Sequence, residues 1–284
     1  MSRKNYFQML LTSALWGSSF LLMKYALNEL DPFQIAFYRI FIGMTFINIL
    51  KIEKIKISKK DHGLISLVGF LWMSLPFYLF AESEQTITSS LAGLVNGSTP
   101  IFISLFAVLF FKQKISNKKK IYLTTGFAGI YILSFGFKAA DVYLSKGLLL
   151  ALLASISYGF AANFVQPLIS TYGALVTLRM ALRYASVFSF ILFIVNSEFL
   201  MPTPGGSLIY MLILGIGGSG IAFLSFYSLI DDVGAIFGSI TVYIIPIFSV
   251  IFGYIFLQET TTISQISGVS LIISSAYLFT KTVD

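Results

Sequence analysis

Long apolar runs, separated by short charged segments, occupy most of this 284-residue chain. A helix needs about 20 residues to cross a hydrocarbon core roughly 30 Å thick. Helices are expected because an open strand would leave backbone groups without partners in lipid. Only 11% of the residues are charged, against about 25% in a soluble domain, which excludes a water-soluble fold. The sequence therefore predicts an all-α polytopic membrane protein with ten transmembrane helices, at 6–25, 33–50, 63–80, 88–111, 121–137, 147–166, 174–195, 207–229, 235–257 and 263–280.

The positive charges lie mainly in the loops on one side of the predicted bundle. If both termini are cytoplasmic, that side carries 13 of the 19 lysines and arginines, the other side carries three, and three lie within spans. Cytoplasmic loops are enriched in these residues. We therefore predict a multi-pass protein of the cell (plasma) membrane with both termini in the cytoplasm. The net charge of +7 is explained by these loops, so no nucleic-acid partner is predicted.

The two halves of the chain resemble each other. Shifts of 146 and 142 positions superimpose identical or similar residues, namely Phe77 on Phe223, Phe80 on Phe226, Pro100-Ile101-Phe102 on Pro246-Ile247-Phe248, and Trp16-Gly17 on Tyr158-Gly159. Each half has five spans, so equivalent helices would cross the membrane in opposite directions, as in the inverted repeats of secondary transporters. We predict two inverted five-helix repeats, at 1–138 and 147–284.

Several motifs resemble the EamA family of the drug/metabolite transporter superfamily. They are Ala14 to Phe20 in the first span, Pro76 to Glu82, Ser89 to Asn96 with Thr99-Pro100, and Pro246 to Glu259 followed by Gly268. The resemblance covers nearly the whole chain, and it implies ten helices and transport or export of a small metabolite. The chain departs from the family pattern at Gln113, where the family commonly has a glutamate, and at Tyr122, the counterpart of Gly268.

Polar and aromatic residues within the spans are the candidates for substrate binding. An amide inside a membrane must find a partner, so Asn96 faces either another helix or a cavity. Arg39 in span 2 either extends its charge to the interface or binds a substrate carboxylate. Aromatic faces attract cations and stack on flat rings. The predicted substrate-binding residues are Trp16, Arg39, Asn96, Thr99, Tyr158, Asn163 and Tyr243.

Two prolines occupy matching positions in the repeats, Pro100 in span 4 and Pro246 in span 9. A proline inside a helix removes a backbone hydrogen bond and kinks the helix. We therefore predict hinges at both positions.

Titratable and metal-binding side chains are scarce within the spans. The chain has no cysteine and one histidine, His62, and its twelve acidic residues all lie near span ends or in loops. Proton-coupled pumps usually bury a carboxylate or a histidine, and no such group is predicted; Glu82 and Glu84 lie nearest to an entrance. No metal, cofactor or catalytic set is predicted.

The sequence thus predicts a secondary transporter or exporter of a small metabolite, such as an amino acid, working by alternating access through a central cavity between the repeats. The predicted partners are this small molecule and the lipid bilayer, and the oligomeric state is left open, a monomer included. The alternatives are a non-transporting receptor or scaffold, which would need no polar-lined cavity, and an intramembrane enzyme, which would need catalytic groups that the spans lack.

Overall fold

Helices form all the regular secondary structure in the described part of the chain. The computed structural model describes residues 2–51, 55, 57–110, 112, 116–135, 145–199, 201–203, 206–238 and 240–282. The helices are α1 Arg3–Ala26, α2 Pro32–Ile49, α3 Lys59–Ser83, α4 Ser89–Leu109, α5 Asn117–Phe135, α6 Lys146–Tyr172, α7 Ala174–Asn196, α8 Ser207–Gly234, α9 Ile240–Leu257 and α10 Ile263–Lys281. After Gly234, whose φ of 81° and ψ of 165° are not helical, residues up to Gly238 are helical again.

Polar residues cap the helices at the breaks between apolar runs. The side chain of Asp31 accepts hydrogen bonds from the amides of Phe33 and Gln34 and starts α2. Thr88 caps α4 and Ser145 caps α6 in the same way. Such caps satisfy amides that have no partner within the helix, which is why each of these helices begins within a few residues of its predicted position.

Six of the described helices, α2, α3, α4, α6, α7 and α8, are long and apolar enough to cross a membrane. Two shorter apolar helices, Thr241–Leu257 and Ile263–Phe279, follow them. The prediction of an all-helical, multi-pass protein is therefore confirmed. That ten helices cross the membrane stays a prediction.

Helices at equivalent places in the two halves pack against each other. The pairs in contact are α2 with α7, α4 with α9, and α5 with α10. In addition, α1 packs on α8 and α9, and α6 packs correspondingly on α3 and α4. The first helix of each half therefore packs on the third and fourth helices of the other half. Two similar halves related by a pseudo-two-fold axis produce this arrangement.

Backbone irregularities recur at the offset that the sequence repeat predicts. The α3 helix contains a π-helical segment at Phe70–Ser74, and α8 contains one at Ile213–Ile221, which covers the positions 146 residues later. Lys112 and Gln258, also 146 positions apart, have φ of 51° and 55°. Side-chain similarity alone did not reveal these features. They support a common origin of the halves, whereas the boundaries at 138 and 147 stay predictions.

The two matching prolines lie in different backbone settings. The α4 helix is interrupted at Gly97 and Ser98, immediately before the segment that contains Pro100, whereas α9 stays helical through Pro246. A Cβ atom placed on Gly97 would lie 2.8 Å from Cγ of Pro246, so the interruption in α4 contacts the proline of α9. The hinge role of both prolines stays a prediction.

One expectation about polar residues is overturned, and another falls outside the described residues. Glu84 does follow the last residue of α3, but its side chain is completely buried, so the prediction of no buried carboxyl group was wrong. It failed because the end of a helix need not lie at the protein surface. Gln113 lies outside the described residues.

Candidate functional site

A central cavity of about 140 Å³ lies between the two halves. Its walls come from α1, α2, α3 and α4 of the first half and from α6, α8 and α9 of the second. A cavity of about 150 Å³ holds a benzene molecule. This cavity therefore has room for a body about the size of one aromatic ring.

Aromatic side chains form much of the cavity wall. The ring centre of Trp16 lies 5.0 Å from the ring centres of both Phe223 and Phe226. The ring centres of Phe80 and Tyr158 lie 5.8 Å apart. The indole nitrogen of Trp16 donates a hydrogen bond to the carbonyl oxygen of Gly218 at 3.1 Å. Because this donor is already used, Trp16 offers its ring face to a ligand.

Three pairs of repeat-matched aromatic residues line the cavity, namely Trp16 with Tyr158, Phe77 with Phe223, and Phe80 with Phe226. The sequence prediction included only the first pair. The other two were visible as repeat matches but were not assigned to the site. Aromatic residues that match between the repeats and lie in the middle of their helices could have been assigned to the wall of a symmetric cavity. That signal would have identified these four residues.

Arg39 lies in the cavity wall and is only 3% exposed. The guanidinium carbon lies 3.7 Å from the centre of the Phe77 ring. Nε donates to the hydroxyl of Ser219 at 3.3 Å, and one terminal nitrogen contacts the sulfur of Met23 at 3.5 Å. Of the two positions open to Arg39, the interface and the cavity, the structure places it in the cavity.

Arg39 takes part in neither of the ion pairs found among the described residues. Glu84 acts on its charge only at longer range, without a hydrogen bond. A buried charge without a counterion costs several kcal/mol, and a cation–π contact returns about 2 kcal/mol when desolvated. A guanidinium has five N–H donors in a planar fork that fits a carboxylate. The geometry therefore suits a ligand that brings its own negative charge.

Polar side chains of α4 lie on the cavity wall within the first half. Asn96 and Thr99 both line the cavity, and the Thr99 hydroxyl donates to Oδ1 of Asn96 at 3.4 Å. Both residues lie next to the interruption of α4 at Gly97 and Ser98. This part of the wall can offer hydrogen bonds to a ligand.

Two predicted residues are not among those that line the cavity, Asn163 and Tyr243. The Asn163 amide donates to the carbonyl oxygens of Gly159 at 3.0 Å and Ile103 at 3.4 Å, which links α6 to α4. Tyr243 is buried, and its neighbour Val242 lies in the cavity wall instead. A role in substrate binding stays a prediction for all seven residues.

The two ends of the cavity differ. At one end lies Gln166, which is exposed, and we call this the Gln166 end. Beyond Met23 and Phe80 at the other end lies a polar cap, which we define as Lys24, Glu84, Ser89, Ser90 and Glu259. There Lys24 donates to the carbonyl oxygens of Glu84 and Ile87, so the cap joins α1 to the turn before α4.

Glu259 holds the polar cap together across the two halves. Its carboxylate accepts from the amides of Ser89 at 2.9 Å and Ser90 at 2.8 Å, and from both serine hydroxyls. Burial raises the pKa of Glu259, but the hydrogen bonds from the two serines outweigh it, and the net pKa lies below its usual value. The carboxylate is therefore ionised at neutral pH.

No group of three or more histidine, cysteine, aspartate or glutamate side chains that could hold a metal ion occurs among the described residues. What the cavity presents is a ring-sized apolar space, one buried cation and a few hydrogen-bonding groups. These features suit reversible binding of a small organic molecule.

Comparison with known proteins identifies the family. The sequence model of the EamA-like transporter family matches residues 3–135 and again residues 145–281. This double match agrees with the two-repeat pattern seen in the helices.

Individual relatives match the chain over nearly its full length. An uncharacterized transporter of Archaeoglobus fulgidus is 24% identical over 280 residues, covering 98% of this chain and 99% of that protein. The uncharacterized transporter YoaV of Bacillus subtilis is 25% identical, with 94% of each chain covered. One solved crystal structure has a TM-score of 0.66 at 15% identity, covering 97% of this chain and 96% of that one. At that identity, the likeness concerns the fold alone.

Proposed function

The chain belongs to the EamA-like transporter family, and from this premise we propose that it carries a small organic metabolite across the cell membrane by alternating access. The proposed substrate is an amino acid or a similar compound that combines a carboxylate with a compact apolar or aromatic body. The proposed route is the central cavity between the two repeats. Neither catalysis nor a cofactor is part of this proposal.

The observation that carries the proposal is the buried guanidinium of Arg39 in an aromatic cavity. A substrate carboxylate would form the ion pair with Arg39 that the described residues do not form, and Trp16, Phe223 and Phe226 would surround its apolar part. Asn96 and Thr99 would add hydrogen bonds. In the same proposal Tyr158 faces the substrate from the second repeat.

Alternating access is supported by the difference between the two ends of the cavity. The polar cap covers one end, while the other reaches the exposed side chain of Gln166. With both termini in the cytoplasm, the Gln166 end would face the cytoplasm and the capped end the outside. Opening the cap and closing the Gln166 end would complete the cycle, with Pro100 and Pro246 as the proposed hinges.

The function can be tested with purified protein in liposomes. Amino acids, their amides, nucleosides and polyamines are first screened for compounds that raise the melting temperature. Compounds that bind are then tested for counterflow, in which internal unlabelled compound drives uptake of the labelled one. We expect binding and counterflow for a carboxylate compound. Binding without counterflow would favour a receptor or scaffold.

The proposed topology predicts which loops are accessible from outside. Single cysteines at Asn28, Ser58 and Asn117, all exposed positions in this cysteine-free chain, provide the test. Because Asn28 follows α1 at the opposite end from the N-terminus, we expect an impermeant thiol reagent to label only this site in intact cells. After permeabilisation, all three should react. Labelling of Asn117 in intact cells would contradict the orientation.

Two asparagines allow the cavity wall to be separated from helix packing. Asn96→Leu keeps a similar volume but removes a polar group from the cavity, so we expect it to weaken substrate binding by about 1–3 kcal/mol with little change in melting temperature. Asn163→Leu removes the link from α6 to α4 and should lower the melting temperature while binding is retained. Titration calorimetry and thermal unfolding measure both effects. The reverse pattern would place Asn163, rather than Asn96, against the substrate.

A further inference from the structure

Glu84 is a buried carboxyl group that the proposed substrate site does not use. Its side chain is 0% exposed, and neither carboxyl oxygen has a hydrogen-bond partner among the residues that the structure describes. Its amide donates to the carbonyl oxygen of Phe80 at 3.0 Å, so Glu84 lies one helical turn beyond a residue of the cavity wall. The carboxyl group is therefore enclosed between the cavity and the capped end.

Charged groups approach Glu84 from several sides. Lys24 of α1 is nearby, but its ammonium group donates to main-chain carbonyl oxygens. Arg39 of α2 interacts with Glu84 from the cavity side, and Glu259 repels it from the other repeat. Glu82, a partly exposed residue of α3, forms an ion pair with the exposed Lys146 of α6 at 2.6 Å. In the described residues, none of these cations makes a hydrogen bond to the Glu84 carboxyl.

We propose that Glu84 is a proton-binding site that controls the polar cap: the cap is closed when the proton is bound, and loss of the proton opens it. The site takes a proton and no other ligand. Proton binding at Glu84 controls the cap alone, and it goes beyond the proposed function because it does not depend on which substrate the cavity binds.

The physical reason is the cost of an ion at this position. A buried carboxylate without hydrogen bonds is strongly disfavoured relative to the neutral acid. Burial raises the pKa of Glu84 well above its usual value; Lys24 opposes this effect, the charge of Glu259 adds to it, and Arg39 opposes it. When the proton leaves, the ion gains free energy from hydration only if the cap opens.

The direction of the pH dependence follows from the two pKa values of Glu84. In the open cap the carboxyl group is hydrated and has the ordinary pKa of a glutamate, whereas in the closed cap its pKa is raised. The closed cap therefore has its full stability below the ordinary pKa. It loses stability as the pH rises from there through the raised pKa.

The amides of Ser89 and Ser90 report directly on the cap. They lie in the first turn of α4, where backbone amides have no partner within the helix, and in the closed cap they donate to Glu259. Their hydrogen exchange, corrected for the chemical exchange rate at each pH, therefore measures opening. Between pH 5 and pH 9 Glu259 stays largely ionised in both states of the cap, because its pKa is lowered in the closed cap and ordinary in the open one, so its own titration contributes little.

We expect the protection of these two amides in the purified full-length protein to fall with rising pH. The slope should approach about tenfold per pH unit between the ordinary and the raised pKa, as release of one proton requires. In Glu84→Gln, which keeps the shape but cannot ionise, protection should stay constant across the range; Glu84→Met serves as a second neutral variant. The matched control Glu82→Gln removes a partly exposed carboxylate two residues away, and its Ser89 and Ser90 amides should show the same pH dependence of protection as the unmodified protein.

Two results would overturn the proposal. One is constant protection in the unmodified protein from pH 5 to pH 9, which needs no variant to fold. The other is a pH profile in Glu84→Gln that equals that of the unmodified protein. Because no transport is measured, a protein that fails every counterflow test could still give the expected titration, so failure of this inference and failure of the proposed function are distinguishable.

Discussion

Replacing Arg39 with glutamine is expected to weaken the binding of a carboxylate substrate by about 2–5 kcal/mol, the usual effect of removing one partner of a buried charge pair. The guanidinium is 3% exposed and forms no ion pair with a described residue, so a bound carboxylate would be its directly paired counterion. The comparison uses a carboxylate compound from the binding screen and the corresponding amide. The unmodified protein should prefer the carboxylate, and Arg39→Gln should bind both about equally.

Arg183→Gln is the matched control for this substitution. Arg183 is an arginine of α7 that donates to Oδ1 of Asn48 at an exposed position, so its replacement should leave the preference for the carboxylate unchanged. The substitution removes the contacts with Phe77 and Ser219 but also the cost of a buried charge without an ion pair, so we expect little change in the melting temperature of Arg39→Gln. If Arg39→Gln keeps the full preference for the carboxylate, the guanidinium does not bind the substrate.

Gly268→Ala is expected to lower the stability of the protein by about 1–3 kcal/mol, the range for overpacking a close contact. A Cβ atom at this position would lie 2.5 Å from the backbone nitrogen of Leu133 and 2.7 Å from its Cα atom. Because these are backbone atoms, the clash cannot be relieved by a side-chain rotation. Helices α5 and α10 would have to move apart, and thermal unfolding in detergent measures the loss.

The control is a glycine-to-alanine substitution at a position where the added methyl group has free space. A Cβ atom on Gly63 of α3 would meet no atom of the described residues within 4 Å, and alanine is a better helix former than glycine. Gly63→Ala should therefore unfold at the same temperature or slightly higher. Equal melting temperatures for the two variants would mean that α5 and α10 are not in close contact at Gly268.

Helix positions and the two-repeat pattern follow from local features of the sequence. Apolar runs need about 20 residues to span a membrane, and capping residues such as Asp31 and Thr88 mark where helices start. The repeat offset of 146 was already visible in Phe77 and Phe223, and it reappears in the π-helical segments of α3 and α8.

Which face of each helix lines the cavity was decided by the tertiary structure. In α6 the wall residues are Tyr158, Ala162 and Gln166, a row at intervals of four, and Asn163 lies one residue to the side of that row. Lipid is as apolar as the protein core, so hydrophobicity does not distinguish the face turned to lipid from the face turned to another helix. The polarity of Asn163 therefore could not show whether its side chain lines the cavity or links two helices.

The environments of Arg39 and Glu84 were likewise determined only by packing. The sequence by itself established a multi-pass helical protein with similar halves, because apolar length, caps and repeat matches are properties of consecutive residues. The depth of a charged side chain depends on helices distant in the chain. Phe77 and Ser219 enclose Arg39, and Lys24 crosses from α1 to the turn that contains Glu84. Such long-range contacts leave no local pattern, so only the assembled helices decide which charges are buried.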